Sequence, residues 1–376
     1  MPAPRNVLLN ALYLAPGVSG GPETYLRGLA PALAREFPDL GISIATTRSG
    51  AVALREDGWG DFARVFALPC EDGQRMRRQW AEQVLLPVLA RRQRAQIVHS
   101  LASLAPFYAG ARAVVTLHDV TFLVAPTFGR TTTWGMAVLV KGAARRADGL
   151  IAGTAAARDE ISAVLSLDPA RFSVVHHGHD PPRAILPTPP EEVRARYGLG
   201  ESRVVICVAA KRPHKNQELL IRATALLDPD VTTVLAGHAE PYERRLRELV
   251  GELQLEHRVR FADYVTDADL EGLWAVASCA AFPTLGEGFG IPVIEALAHG
   301  VPVACSRLPV LEEVGGDLPH YFDPKDPSEA AEAIGAALSD VDTAQRGPAH
   351  AASYTWGASA RGTFEVYERV MDLPAR

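Results

Sequence analysis

Apolar runs of strand length alternate with helix-period segments along the chain. The first half reads NVLLNALYL (6–14), then the amphipathic PETYLRGLAPALAREF (22–37), then GISIATT (41–47). QIVHSLA (96–102), AVVTLHDV (113–120), GLIAGT (149–154) and FSVVHHG (172–178) follow. These runs are almost continuously apolar rather than alternating, which suits parallel strands covered on both faces. DPPRAILPTPP (180–190) then brings prolines at 181, 182, 187, 189 and 190. Such a stretch continues neither a helix nor a central strand, because proline has a fixed φ and no N–H. It reads as a linker.

Beyond it the rhythm restarts: RVVICVAA (203–210), the helical NQELLIRATALL (216–227), VTTVLAGH (231–238) and the helical YERRLRELVGELQL (242–255). RVRFADYV (258–265), a helix over DADLEGLWAVAS (267–278) and the strand CAAFPT (279–284) come next. VPVACS (301–306), HYFDP (320–324) and a helix over 326–340 close the pattern. The expectation is two doubly wound α/β domains, residues 1–180 and 191–355, facing a cleft, with ligands at the carboxyl ends of the strands.

Composition changes this picture little. The 376 residues are 48% hydrophobic and 22% charged, as a packed core requires. A net charge of -6 argues against bulk nucleic-acid binding. No apolar run approaches 18 residues, so no membrane-spanning helix is expected. The four cysteines (70, 207, 279, 305) form no close pair and read as reduced, buried thiols of a cytoplasmic protein. The apolar N-terminus, interrupted by Asn6 and Asn10, reads as a first strand rather than a signal peptide. Residues 74–96 carry six arginines and one glutamate around an apolar middle. Peripheral contact with an anionic membrane face and an ordinary solvated helix both fit that run.

The most informative stretch is LGEGFGIPVIEALAHG (285–300). Pro292 suits a first helical turn and Gly300 a C-cap, giving a helix from about Pro292 to His299. Gly288 and Gly290 let backbone approach a ligand, and the amides of 289–291 with the helix dipole make an anion site. Glu287 and Glu295 would be repelled by that anion, so they should face neutral hydroxyl groups. A glycine turn leading into a helix with solvated glutamates reads equally well from these residues alone.

Here the sequence resembles a known family. E-G-F-G-x-P-x-x-E-A, matched by Glu287 to Ala296, is the hallmark of retaining glycosyltransferases of family 4 with the GT-B fold. That resemblance implies two Rossmann-like domains, with residues 356–376 a C-terminal helix crossing back to the first. It implies that Glu295 binds the nucleotide ribose, Glu287 the transferred sugar, and the backbone of Gly288, Phe289 and Gly290 the donor phosphates or sugar. VAAKRPHKN (208–216) is similar to the family's basic segment, making Lys215 the neutraliser of the leaving diphosphate. The usual arginine is replaced by Ala209 or Ala210, leaving Lys211 or Arg212 to supply a second charge; a solvated loop is the competing reading for both.

Further positions follow by the same resemblance. Gly20 and Gly21 match the glycine loop that closes on the donor phosphates, although a plain tight turn fits them too. TLHDVTF (116–122) is similar to the T-I-H-D-L-T-F pattern of mannosyltransferase-like members. His118 would lie beside the transferred sugar and Asp119 would orient it or bind acceptor. Tyr264 and Val265 match backbone that meets the nucleotide base, with Asp263 standing where glycine is usual. Thr154 is a candidate helix N-cap and Arg158 has no assigned role. His176, His177 and His179 lack metal-ligand spacing, and no metal is expected. The implied activity is metal-independent, retaining transfer of a hexose from a GDP- or UDP-linked donor to a glycan, lipid-linked or small-molecule acceptor. A nucleotide-sugar epimerase of the same fold and a non-catalytic partner subunit remain as alternatives.

Overall fold

The computed structural model describes residues 4–124, 130–179, 185–263 and 265–374. It divides into two units, Met1–Gly178 with Thr355–Arg376, and His179–Tyr354. The first holds β1 (Asn6–Ala11), β2 (Gly41–Thr46), β3 (Ala63–Ala67), β4 (Ile97–Ser100), β5 (Arg112–Leu117), β6 (Gly149–Ala152) and β7 (Phe172–Val174). All pair in parallel in the order β3-β2-β1-β4-β5-β6-β7. The period-2 geometry of a strand explains why the apolar runs are continuous. Along β1, Val7 and Leu9 join a core with Tyr25, Leu29 and Trp356, while Leu8 joins a second core with Ala81, Leu86 and Ala90. Each sheet face therefore has its own cover.

The second unit repeats this plan with β8 (Arg203–Val208), β9 (Val231–Ala236), β10 (Val259–Ala262), β11 (Ala277–Phe282), β12 (Val303–Ser306) and β13 (His320–Phe322). The order is β10-β9-β8-β11-β12-β13, again all parallel. Val204 and Ile206 face one core, Val205 and Cys207 the other. In each sheet the chain adds strands to one side, then returns to the other side of the first strand. The reversals fall between β1 and β4 and between β8 and β11. Loops diverge at such switch points, opening room for a ligand at the carboxyl ends.

Three sequence expectations are adjusted. β3 (ARVFA) was not anticipated: it is an edge strand with only Ala63 buried, so it lacks the apolar run that marks a central strand. The proline segment 180–190 does not end as a linker, because Pro190 is the first residue of a helix, Pro190–Tyr197, where its missing N–H costs nothing. Residues 180–184 lie outside the described residues. The helix anticipated from Pro292 runs Ile291–Ala298, one residue earlier at each end. All four cysteines are buried free thiols, and burial raises each one's pKa.

The last helix, Trp356–Met371, packs on the first, Gly21–Glu36. Trp356, Phe364, Tyr367 and Val370 are buried in the first unit's core. Gly28 permits this approach, since a Cβ there would lie 1.9 Å from the Trp356 ring. Phe37 and Phe364 stack at 3.8 Å. Among the described residues, no helix is long and apolar enough to cross a membrane.

Candidate functional site

At the carboxyl ends of β8 and β11, two loops are tied together. After β8 the chain makes a 3-10 turn, Pro213–Lys215, and then Asn216 takes a left-handed conformation (φ 54°) as N-cap of Gln217–Thr224. Asparagine tolerates that region better than most residues. Its side-chain amide donates to the carbonyls of Pro283 (2.9 Å) and Pro324 (2.8 Å). From the loop after β11, the Leu285 amide donates to the His214 carbonyl at 2.8 Å, and Thr284 Oγ1 donates to the same carbonyl at 3.2 Å. These bonds set Lys215 Nζ 2.6 Å from Glu287 Oε2, both half-buried.

Glu287 leads into the start of Ile291–Ala298. Gly290, its N-cap, has φ 97°, and a Cβ there would sit 2.6 Å from Leu311 Cδ2. Only glycine meets both demands. Among the described residues, the amides of Gly288, Gly290 and Ile291 have no hydrogen-bond acceptor. They lie at the positive end of the helix dipole, a ready site for an anion. Phe289 is buried against Tyr354, with rings 5.7 Å apart, and fixes the loop from beneath. Glu295, one turn on, is half-buried, and its carbonyl accepts from His299 Nδ1 at 2.8 Å. His299 Nε2 lies 3.0 Å from Glu271 Oε2 and its ring stacks on Trp274.

Lys211 and Arg212 are both held by acidic partners. Lys211 is fully buried rather than part of a solvated loop. Its ammonium donates to the carbonyls of Gly237 and Ala262, the latter at 3.2 Å, and pairs with Glu243 and Asp263 at 3.5 Å each. A buried ammonium is stable only when so surrounded. Asp263, standing where glycine is usual, thus meets Lys211 in an ion pair. Arg212 donates from Nε and Nη2 to Glu240 Oε1 at 3.0 and 2.8 Å. Lys215 is the cation beside the helix start. Val265 is half-buried against the second unit's core, and Tyr264 lies outside the described residues.

In the first unit, Gly20 (φ 60°) caps Gly21–Glu36, and both glycines are exposed at the end of β1. The loop before them is held by Glu23, which accepts from the Gly17 amide at 2.9 Å, and by Ser19, which accepts from the Ala15 amide at 2.7 Å. His118 follows β5. Its Nε2 lies 2.7 Å from the Leu101 carbonyl, which can only accept, so Nε2 carries the proton. Burial lowers the His118 pKa, with the Leu101 bond and Asp119 acting the other way. The neutral ring therefore keeps a lone pair on Nδ1. Asp119 Oδ1 accepts from the Thr121 amide at 2.8 Å, so one of its oxygens holds the loop. Thr154 accepts from the Ala157 amide, and Arg158 donates to Asp159.

Sequence reasoning missed a polar chain behind His118. His99 Nδ1 lies 2.7 Å from Tyr367 Oη, and His99 Nε2 lies 2.8 Å from Thr116 Oγ1. Thr116 Oγ1 is 3.3 Å from Tyr25 Oη, and the Tyr25 ring meets His118 edge-on at 5.0 Å. Burial pushes the His99 pKa down to about 3. His177 is buried among Tyr25, His118 and Trp356, and His179 Nε2 lies 3.0 Å from the Ala351 carbonyl. These histidines pack the fold.

Comparison with known proteins agrees with this architecture. The family model described as Glycosyltransferase Family 4 matches residues 19–183, and that described as Glycosyl transferases group 1 matches residues 190–351. The chain is 32% identical over 195 residues to the O-antigen chain mannosyltransferase B of Escherichia coli, covering 49% of this chain and 51% of that protein. It is 33% identical over 240 residues to the D-inositol 3-phosphate glycosyltransferase of Mycolicibacterium gilvum, covering 60% and 52%. The chain spans about half the length of these curated relatives. Among solved structures, the sucrose-phosphate synthase of Thermosynechococcus elongatus superposes with a TM-score of 0.79 at 19% identity, covering 98% of this chain and 99% of that one. Anabaena Alr3699/HepE in complex with UDP and glucose gives 0.75 at 21%, covering 98% and 100%. Likeness at such identities shows the fold: two parallel-sheet α/β domains of the GT-B type.

Proposed function

The chain belongs to the glycosyltransferases described by the family 4 and group 1 models, and from that premise we propose that it transfers a hexose, with retention, from a nucleoside diphosphate to an acceptor hydroxyl. The observation that carries the proposal is the Lys215–Glu287 pair beside the open amides of Gly288, Gly290 and Ile291 at the second sheet's switch point. A diphosphate at the helix start would draw Lys215 from Glu287. The carboxylate is then released toward the sugar hydroxyls, and Glu295 lies one turn along for the ribose. Lys215 and the amides carry the charge of the leaving group, an electrostatic stabilisation that grows in the transition state.

In the reaction the bond from C1 to the diphosphate oxygen breaks. The acceptor oxygen bonds C1 on the same face, and its proton passes to the departing phosphate oxygen. We assign no residue as covalent nucleophile and give charge neutralisation to protein groups rather than a metal ion. His118, neutral and with Nδ1 free of the Leu101 bond, is our candidate acceptor of a substrate hydroxyl's hydrogen bond, and Asp119 our candidate for acceptor binding. A relative named for mannosyl transfer and a structural neighbour bound to UDP and glucose support a GDP- or UDP-linked hexose. With methanol as surrogate acceptor and a panel of α-linked sugar nucleotides, NMR of the product should show the methyl α-glycoside, at a rate unchanged by EDTA. A β-glycoside, or conversion of donor to its epimer with no glycoside, would overturn this reading.

A further inference from the structure

One helical run of the first unit is apolar on two sides. Residues Arg75–Trp80, Ala81–Leu85 and Leu86–Arg92 form a continuous helix whose middle is a π-turn, closed by the Leu86 amide on the Ala81 carbonyl. Ala81, Leu86 and Ala90 face the core beneath. A surface helix is expected to be polar on its other face. Here that face carries Met76, Trp80, Val84 and Val88, with Met76 84% and Trp80 52% exposed.

These four lie four residues apart. On an α-helix of 3.6 residues per turn they would drift by about 40° per step and spiral off the face. The wider π-turn at Ala81–Leu85 works against that drift and keeps the stripe in line. Exposed Phe107 and Tyr108 sit alongside, because Gln83 holds their loop by bonds to Ala105 and Phe107. That loop joins β4 to β5, the strand that His118 follows.

The exposed charged side chains of the run itself are all arginine. Arg77, Arg91, Arg92 and Arg94 are exposed and form no ion pair among the described residues. The run's one acid, Glu82, is turned inward and buried, accepting from Asn10 at 2.7 Å. Of the acids just upstream, Glu71 pairs with Arg48 and Asp72 accepts from Ser49. A second copy of this chain is a poor cover, since a two-fold interface would set the arginines against themselves.

We propose that the run Arg75–Arg92 docks the first unit on a bilayer surface rich in anionic lipid. Met76, Trp80, Val84 and Val88 enter the headgroup boundary and the arginines engage lipid phosphates. Aromatic and apolar residues flanked by arginine suit that boundary, and each basic residue near an anionic surface strengthens attachment by about five-fold. Co-sedimentation with phosphatidylglycerol vesicles should capture the protein, with phosphatidylcholine vesicles and high salt releasing it. Met76→Ser with Trp80→Ser should weaken capture at least ten-fold, and Arg77→Glu with Arg92→Glu about 25-fold or more. Thermal melts and donor turnover of both variants should match the parent, since neither touches the site. Absence of capture by phosphatidylglycerol vesicles, or capture equal in parent and both variants, would overturn the proposal. So would self-association of the parent that Met76→Ser with Trp80→Ser dissolves, because a second copy would then be the cover.

Discussion

At the scale of single residues, the candidate site divides between groups that carry charge and groups that hold them. Lys215→Ala should lower turnover about 100- to 1,000-fold while leaving thermal stability nearly unchanged, because it removes the cation beside the helix start. Steady-state kinetics alongside a melt checks both parts. Lys211→Met should do the reverse. It strips the donors from the Gly237 and Ala262 carbonyls and leaves Glu243, itself buried, without that cation. Arg247 still pairs with Glu243, so the loss is mainly that of the two buried carbonyls' donor, about 1–3 kcal/mol, read as a lowered denaturation midpoint. Gly290→Ala combines left-handed strain with a clash against Leu311, costing roughly 2–4 kcal/mol, and also displaces the amides. The glycine and proline punctuation of 286–300 was readable because each residue has a local backbone reason. The burial of Lys211 was not, because its partners lie 26 to 52 positions downstream and only the sheet brings them close.

At the scale of elements, the strands were legible wherever both faces are covered. β1, β4, β5 and β8 announce themselves by apolar runs whose successive side chains, such as Val7 and Leu8, Ile97 and Val98, and Val204 and Val205, feed opposite cores. β3 is an edge strand and carries no such signal. Nor does any local pattern join His99 to Tyr367, 268 positions away. That pair makes a pH prediction. Unfolded, His99 titrates near about 6.5, whereas folded it stays neutral down to about 3. Between those values the unfolded chain binds the extra proton, so stability falls as pH drops, by about 1.4 kcal/mol per pH unit for this group. His177, also lowered by burial, adds in the same direction. Denaturant titrations from pH 7 to pH 4 should show this loss, and His99→Asn should flatten its share of the slope.

At the scale of the whole molecule, the last helix completes the first unit. Trp356, Phe364, Val366, Tyr367 and Val370 are all buried there. At roughly 1.5–3 kcal/mol per buried apolar side chain, they contribute on the order of 10 kcal/mol, comparable with a domain's net stability. Truncation after Tyr354 should therefore unfold the first unit. Hydrogen exchange would show protection lost across β1–β7 and kept across β8–β13, since the second unit's strands and cores lie within His179–Tyr354. The central claim concerns that second unit: a nucleoside diphosphate is held by Lys215 and the start of Ile291–Ala298. Its most direct measurement is nucleoside diphosphate release from a panel of UDP- and GDP-hexoses, comparing the parent with Lys215→Ala and Glu295→Ala. The account predicts slow hydrolysis of at least one donor by the parent and a loss of about 100-fold or more in Lys215→Ala, with Glu295→Ala also impaired. Full turnover in both variants would contradict it.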